Sequence, residues 1–303
     1  MTVANGRELA ARRLAILSVL GSSAAYTVSA ALVKAVAADF PTAEVVLFRS
    51  AVCAGVLLPL LLRRGGPGGG GLAALRVRRV WPHVARTLFG FAAMFTSFYG
   101  LGHLPLATNT ALSFVMPLML TLLSIPLLGE RVGWRRMAAV LAGLLGVLVM
   151  VRPWNSGGLP LEPTLWVLGG VGCWALAMIT IRQMGAGGES NATIVLWFSL
   201  GGSVLAGVAT VPVWVTPGGW ELLALVAVGL VSALAQLLMT QAYRTGESSL
   251  IAPFEYTAIV YTTAMGMLIW GEYPDGWTWA GILIIVAAGL YVWRREVVLA
   301  RGG

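Results

Sequence analysis

Leu104–Pro153, LPLATNTALSFVMPLMLTLLSIPLLGERVGWRRMAAVLAGLLGVLVMVRP, contains two apolar runs, Ala107–Leu128 and Trp134–Val151, separated by a charged knot. Each run approaches the roughly 20 residues that carry an α-helix across a bilayer. The knot, Gly129-Glu130-Arg131 followed by Arg135-Arg136, belongs in water. The stretch therefore reads as a membrane hairpin whose turn is pinned outside the hydrocarbon by charge.

Composition extends that reading to the whole chain. Of 303 residues, 58% are hydrophobic and 11% charged, a balance that excludes an ordinary soluble domain. The net charge of +8 would fit a nucleic-acid partner in a soluble protein. Here the basic residues cluster at span ends, where anionic headgroups account for them, so no nucleic acid is expected. Cys53 and Cys173 lie within apolar segments and read as small hydrophobes.

Ten spans follow: Leu14–Val36, Glu44–Leu62, Trp81–Gly102, the two of the hairpin, Thr164–Met184, Thr193–Val211, Glu221–Thr240, Leu250–Trp270 and Trp277–Trp293. The fold class is an all-α polytopic membrane protein. Ser22, Ser23, Tyr26, Thr27 and Ser29 form a polar stripe on the first span that belongs against other helices. Lys34 near its end could snorkel to the interface. The connection after the second span holds five arginines around GGPGGGG, a flexible basic loop.

With the N-terminus inside, Arg7, Arg12, Arg13, the loop arginines, Arg131, Arg135, Arg136, Arg182, Arg244, Arg294, Arg295 and Arg301 all fall on the inner side. Lys34 and Arg152 fall outside, beside Asp39, Glu162, Glu272 and Asp275. This bias predicts both termini in the cytoplasm. Gly129-Glu130 with Gly133-Trp134 recurs as Gly271-Glu272 with Gly276-Trp277, each time between the fourth and fifth span of its half. Five spans per half make the two copies enter the membrane in opposite directions. The expectation is two inverted five-helix repeats, 14–153 and 162–293, as in secondary transporters that bind substrate where the halves meet.

LATNTALSFVMPLMLTLLSIPLLGERVGWRRMAAVLAGLLGVLVMVRP resembles the EamA half-domain of the drug/metabolite transporter superfamily, and SLIAPFEYTAIVYTTAMGMLIWGEYPDGWTWAGILIIVAAGLYV resembles its second copy. Phe48-Arg49-Ser50, the LPLA at Leu104–Ala107, the F-x-x-P at Phe114–Pro117 and GERVGWRR at Gly129–Arg136 are similar to carriers of amino acids and related metabolites. Others in that circle are similar to riboflavin or S-adenosylmethionine uptake carriers. The resemblance implies ten helices, an inverted pseudo-twofold and alternating access through a central cavity. The second half departs from the pattern, with Ile259 where the first has Pro117, and with Pro253 and Glu255 nearby.

Ionisable and polar residues within the spans are the candidates for transport chemistry. Glu255 must be neutral, paired or cavity-facing, and could cycle a proton or sit in a static pair with an arginine. Tyr256 adds a hydroxyl beside it. Arg49 is the candidate for a substrate carboxylate, against packing with the external carboxylates. Arg86, at a depth near that of Glu255, is the candidate for an inner pair or gate with it, against anchoring at the inner interface. Asn109 and Ser113, one turn apart, and Gln236 are candidates to face the cavity, against interhelical hydrogen bonding. Trp174 and Trp197 could stack on a planar substrate, although with 12 tryptophans most serve as interface anchors. His83 stands alone near an interface. No metal-ligand spacing, nucleotide-binding loop or catalytic triad order is present, so neither metal nor cofactor is expected.

Three functions fit such a chain. A secondary carrier of a small organic metabolite, with protons as coupling ion and lipids as surroundings, needs a polar cavity at the seam between halves. A membrane-embedded lipid-modifying enzyme needs polar groups gathered at one interface, and a channel needs a continuous pore. The internal repeat and the resemblance favour the carrier, as a monomer or homodimer.

Overall fold

The structure is a computed structural model that describes residues 2–63, 77–128, 133–152, 154, 158–189, 191–245 and 254–301. The Gly129-Glu130 turn, the GGPGGGG loop and Pro253 lie outside the described residues. Helices α1 (Thr2–Val36), α2 (Thr42–Arg63), α3 (Val80–His103), α4 (Leu106–Ser113), α5 (Met116–Leu128), α6 (Trp134–Val151), α7 (Leu161–Ala186), α8 (Asn191–Thr210), α9 (Gly219–Thr245), α10 (Thr257–Trp270) and α11 (Gly276–Arg301) follow in order. With α4 and α5 counted as one interrupted span, these are ten membrane helices. Seven stretches are long and apolar enough to cross a bilayer, and α3, α6 and α10 complete the ten. Large apolar side chains such as Leu17, Val204, Leu268 and Leu283 are exposed on the outside of the bundle. In a bilayer that belt faces lipid.

The fourth span is not the continuous helix expected over Ala107–Leu128. It stops at Ser113 and restarts at Met116, with Phe114 and Val115 in a turn. Pro117 explains the break: it lacks an N–H, and its ring collides with the carbonyl four residues back, that of Ser113. The chain tightens instead, with Phe114 and Val115 donating to the carbonyls of Ala111 and Leu112 at 3.1 Å each. The ninth span, also expected to be continuous, has a turn at Tyr256 between helical Glu255 and the start of α10. No proline stands there. The Thr257 hydroxyl donates to the Phe254 carbonyl at 2.6 Å, and the Ile259 N–H reaches back only three residues, to Tyr256. The two breaks meet: the rings of Phe114 and Tyr256 stack with centroids 4.5 Å apart.

Packing follows a paired scheme in which α1 lies chiefly on α9, α3 on α7, α2 on α8 and α6 on α11. Elements five spans apart exchange into one another under this scheme. The polar stripe of α1 meets α9, where Ser22 donates to the Ala235 carbonyl at 2.8 Å and Ser29 bonds Ser232 at 2.8 Å. Between α6 and α11 the backbones touch, because a Cβ on Gly281 would lie 2.6 Å from the Gly146 carbonyl oxygen. Small residues permit such close approach between membrane helices, where water provides no hydrophobic drive.

One end of the bundle, termed the Glu272 face, is tied by polar contacts. Lys34 forms an ion pair with Glu272 at 2.7 Å and donates to the Leu104 carbonyl at 2.8 Å. The other Glu272 oxygen accepts the Leu106 N–H at 2.9 Å, at the start of α4. Gly271, in the left-handed region at φ 65°, makes the turn that aims Glu272 inward. Lys34 is therefore paired rather than snorkelling. On the same face Arg152 pairs with Asp275 at 2.6 Å, Glu162 accepts the Tyr99 hydroxyl and the Trp166 indole N–H at 3.0 Å each, and Glu44, fully buried, accepts the Val215 N–H at 3.0 Å.

Candidate functional site

Tyr26 stands at the middle of the arrangement. It projects from the polar stripe of α1, and its hydroxyl donates to Gln236 Oε1 on α9 at 2.8 Å. Arg49 on α2 and Glu255, beside the break before α10, both lie within electrostatic reach of that hydroxyl. Gln236 thus bonds, and Arg49 and Glu255 lie in electrostatic range of, a residue that the sequence offered only as part of a packing stripe. Its signal was present: a tyrosine among serines and threonines on an inward face carries the one long polar reach of the set.

Arg49 does not turn to the carboxylates of the Glu272 face. Its guanidinium Nη1 instead approaches the Met94 sulfur on α3 at 3.1 Å. Sulfur is a weak acceptor and does not offset the cost of holding a cation inside the membrane.

Arg86 enters α3 from the opposite end, and the ion pair expected with Glu255 is not formed. Its guanidinium lies over the Phe198 ring of α8, 4.0 Å from the centroid, and Nε and Nη1 are buried without hydrogen-bond partners. The space is supplied by Gly90, where any Cβ would collide with the guanidinium and with Phe198. Gly90 is one turn further into the membrane than Arg86, so the side chain climbs away from its nearer interface. An anchoring arginine would point the other way. A cation–π contact contributes on the order of 2 kcal/mol when desolvated, less than the several kcal/mol that desolvating the charge costs.

The remaining candidates separate by helix face. Trp174 lies seven, four and three residues after Val167, Gly170 and Val171, all buried on the side of α7 that packs inward, yet it is 40% exposed. It therefore borders interior space rather than lipid. Trp197 lies on the face of α8 that carries exposed Val204 and Val208, and it looks out to lipid. Asn109 is buried with Oδ1 against Gly100 of α3, without a hydrogen-bond partner, and Ser113 donates to the Asn109 carbonyl at 3.1 Å. That pair lines a helix contact rather than meeting Arg49 directly. Tyr256 is held between Phe114 and Gly289, where any Cβ would strike its hydroxyl.

Towards the end opposite the Glu272 face, His83 Nε2 lies 3.5 Å from Glu189, whose carboxylate also accepts the Arg78 N–H. A cleft of about 540 Å³ opens there, lined by Arg78, Arg79, Pro82, Gln183 and Glu189. Among the described residues no three His, Cys, Asp or Glu side chains gather as a metal site.

Comparison with known proteins matches the chain to named transporters. A model of the EamA-like transporter family matches residues 13–152 and again 163–294. The pseudopaline exporter CntI of Pseudomonas aeruginosa (strain UCBPP-PA14) is 32% identical over 93% of this chain and 96% of its own length. A riboflavin transporter of Rhizobium johnstonii is 29% identical over 85% and 83%, and an S-adenosylmethionine uptake transporter of Rickettsia felis is 28% identical over 84% and 83%. A crystal structure of a protein that is 23% identical superposes with a TM-score of 0.61 over 93% of this chain, a likeness of fold.

Proposed function

Because the chain belongs to the EamA-like transporter family, we propose that it is a secondary transporter that moves a small organic metabolite, an amino acid or related solute, across the bacterial cytoplasmic membrane by alternating access. On this reading residues 14–153 and 162–293 are two repeats, the second inverted, and both termini are cytoplasmic. The paired packing scheme and the arginines gathered on one side support that arrangement.

The observation that carries the proposal is the polar centre itself: the Tyr26–Gln236 hydrogen bond, with Arg49 and Glu255 in electrostatic reach, beside the broken ninth span. Charges held inside a membrane bundle mark substrate or ion paths. The centre lies within the spans, away from either interface, which favours a carrier over a lipid-modifying enzyme. Glu255 is the coupling residue, taking up and releasing a proton as the carrier alternates.

A second reading, a planar heterocyclic substrate, is favoured by the inward Trp174 and by the relatives named for riboflavin and S-adenosylmethionine.

The test is flux of labelled amino acids, riboflavin and S-adenosylmethionine in proteoliposomes under imposed pH and voltage gradients. Glu255→Gln keeps the shape and removes the titration. It is expected to lower proton-driven accumulation by about tenfold or more, down to simple equilibration, while exchange down a gradient continues. Accumulation that keeps its proton dependence in the variant would remove Glu255 from the coupling role. No flux of any solute would overturn the carrier reading.

A further inference from the structure

Arg49 and Arg86 place two guanidinium groups on one stripe of α3. The first reaches Met94, and the second lies over Gly90, four residues earlier on the same helix. Four residues of α-helix rise about 6 Å, so the positions on α3 that hold the two cations are one turn apart. They lie within electrostatic range of each other, and neither has a carboxylate within ion-pair distance among the described residues. Each also bends towards the other: Arg86 climbs from its own end of the membrane, and Arg49 turns from the carboxylates of the Glu272 face. Two like charges in a low-dielectric interior repel strongly, and such an arrangement persists when a counter-anion joins them.

We propose that the substrate is a small metabolite with two acidic groups, one on Arg49 and one on Arg86, bound along α3 between Met94 and Gly90. This rests on the carrier reading and narrows it. Arg49 alone would select any monoacid, whereas Arg86 adds the second acid to the requirement. Glycine at position 90 and Phe198 are then specificity elements, because together they hold Arg86 turned inward.

The experiment measures ligand-induced thermal stabilisation of the full chain in lipid nanodiscs with matched probes: glutarate against valerate, and L-2-aminoadipate against L-norleucine. The wild-type chain is expected to bind each diacid about tenfold or more tighter than its monoacid partner. Arg86→Gln should erase that margin and change monoacid affinity by no more than about twofold. Gly90→Ala should do the same while retaining the charge, because the new methyl group displaces the guanidinium. Equal affinity for diacid and monoacid in the wild-type chain, no diacid binding, or a margin that survives in either folded variant would overturn the proposal. Because this reads binding and not flux, its failure is separable from failure of the carrier reading, which loses transport of every solute.

Discussion

Asp275 shows how one exposed carboxylate ties two helix ends. It accepts a hydrogen bond from the Thr278 N–H at the start of α11 and pairs with Arg152 at the end of α6. Its acid is held below the usual carboxylate range, first by hydrogen bonding from Thr278 and then by Arg152. A carboxylate with a depressed folded pKa contributes stability above its unfolded value, near 3.9, and that contribution is lost as pH falls through the folded value. Thermal stability should therefore decline on acidification below about pH 4, and Asp275→Asn should flatten that part of the profile. An unchanged acid limb in the variant would assign the decline to other carboxylates. Sequence placed Arg152 and Asp275 on the same side but could not pair them, since a charge count fixes the side and not the distance. Lys34 was misread for the same reason: snorkelling is the default for a lone lysine near a helix end, and Glu272, 238 positions later, arrives only through the fold. Arg86, expected beside Glu255, lies over Phe198 instead, because the direction of its side chain is set by the missing Cβ of Gly90.

The helices themselves were legible because a membrane span needs a long apolar run and little else. Their interruptions were less so. Pro117 announces the first break once its effect on Ser113 is considered, but the second has no proline at Ile259 and depends on the local bonding of Thr257 and Phe254. Glycine use was hardest to read, since 38 glycines do not say which of them mark contacts. Geometry separates them. A Cβ on Gly281 would meet the Gly146 carbonyl at 2.6 Å and Met150 Cβ at 2.7 Å, whereas Gly169 and Gly172 on α7 face nothing within 4 Å. Gly281→Ala should lower stability by about 1–3 kcal/mol through overpacking where backbone cannot yield. Gly169→Ala should be neutral or stabilise by up to about 1 kcal/mol through helix propensity. Melting of the two purified variants against the parent checks the contrast, and equal shifts would mean that α6 and α11 can separate at no cost.

At the scale of the molecule the Glu272 face is shut. Lys34–Glu272, Arg152–Asp275, Glu162 with Tyr99 and Trp166, and Glu44 with Val215 bind helix ends from both halves, while Trp174, midway along α7, borders interior space. On the alternating-access reading this is the state closed at the Glu272 face, and Glu272 is its principal clasp, since it holds both Lys34 and the first N–H of α4. Glu272→Gln keeps the size of the side chain and removes the charge, leaving Lys34 largely buried without an anion. Removing one partner of a fully buried pair costs about 3–5 kcal/mol; with 12% and 20% exposure here, about 2 kcal/mol is a reasonable scale. A change of that size moves a two-state equilibrium by more than about tenfold. Ala107 reports it, being 3% exposed and next to Leu106, whose N–H the carboxylate holds. In a chain with Cys53 and Cys173 replaced, Ala107→Cys in nanodiscs should resist a membrane-impermeant maleimide, and adding Glu272→Gln should raise the labelling rate about tenfold. Lys34→Gln combined with Glu272→Gln should recover part of the protection, because no unpaired charge remains, and that recovery distinguishes a released clasp from general loosening. Labelling that stays slow in Glu272→Gln would show that the other ties hold the face closed without it.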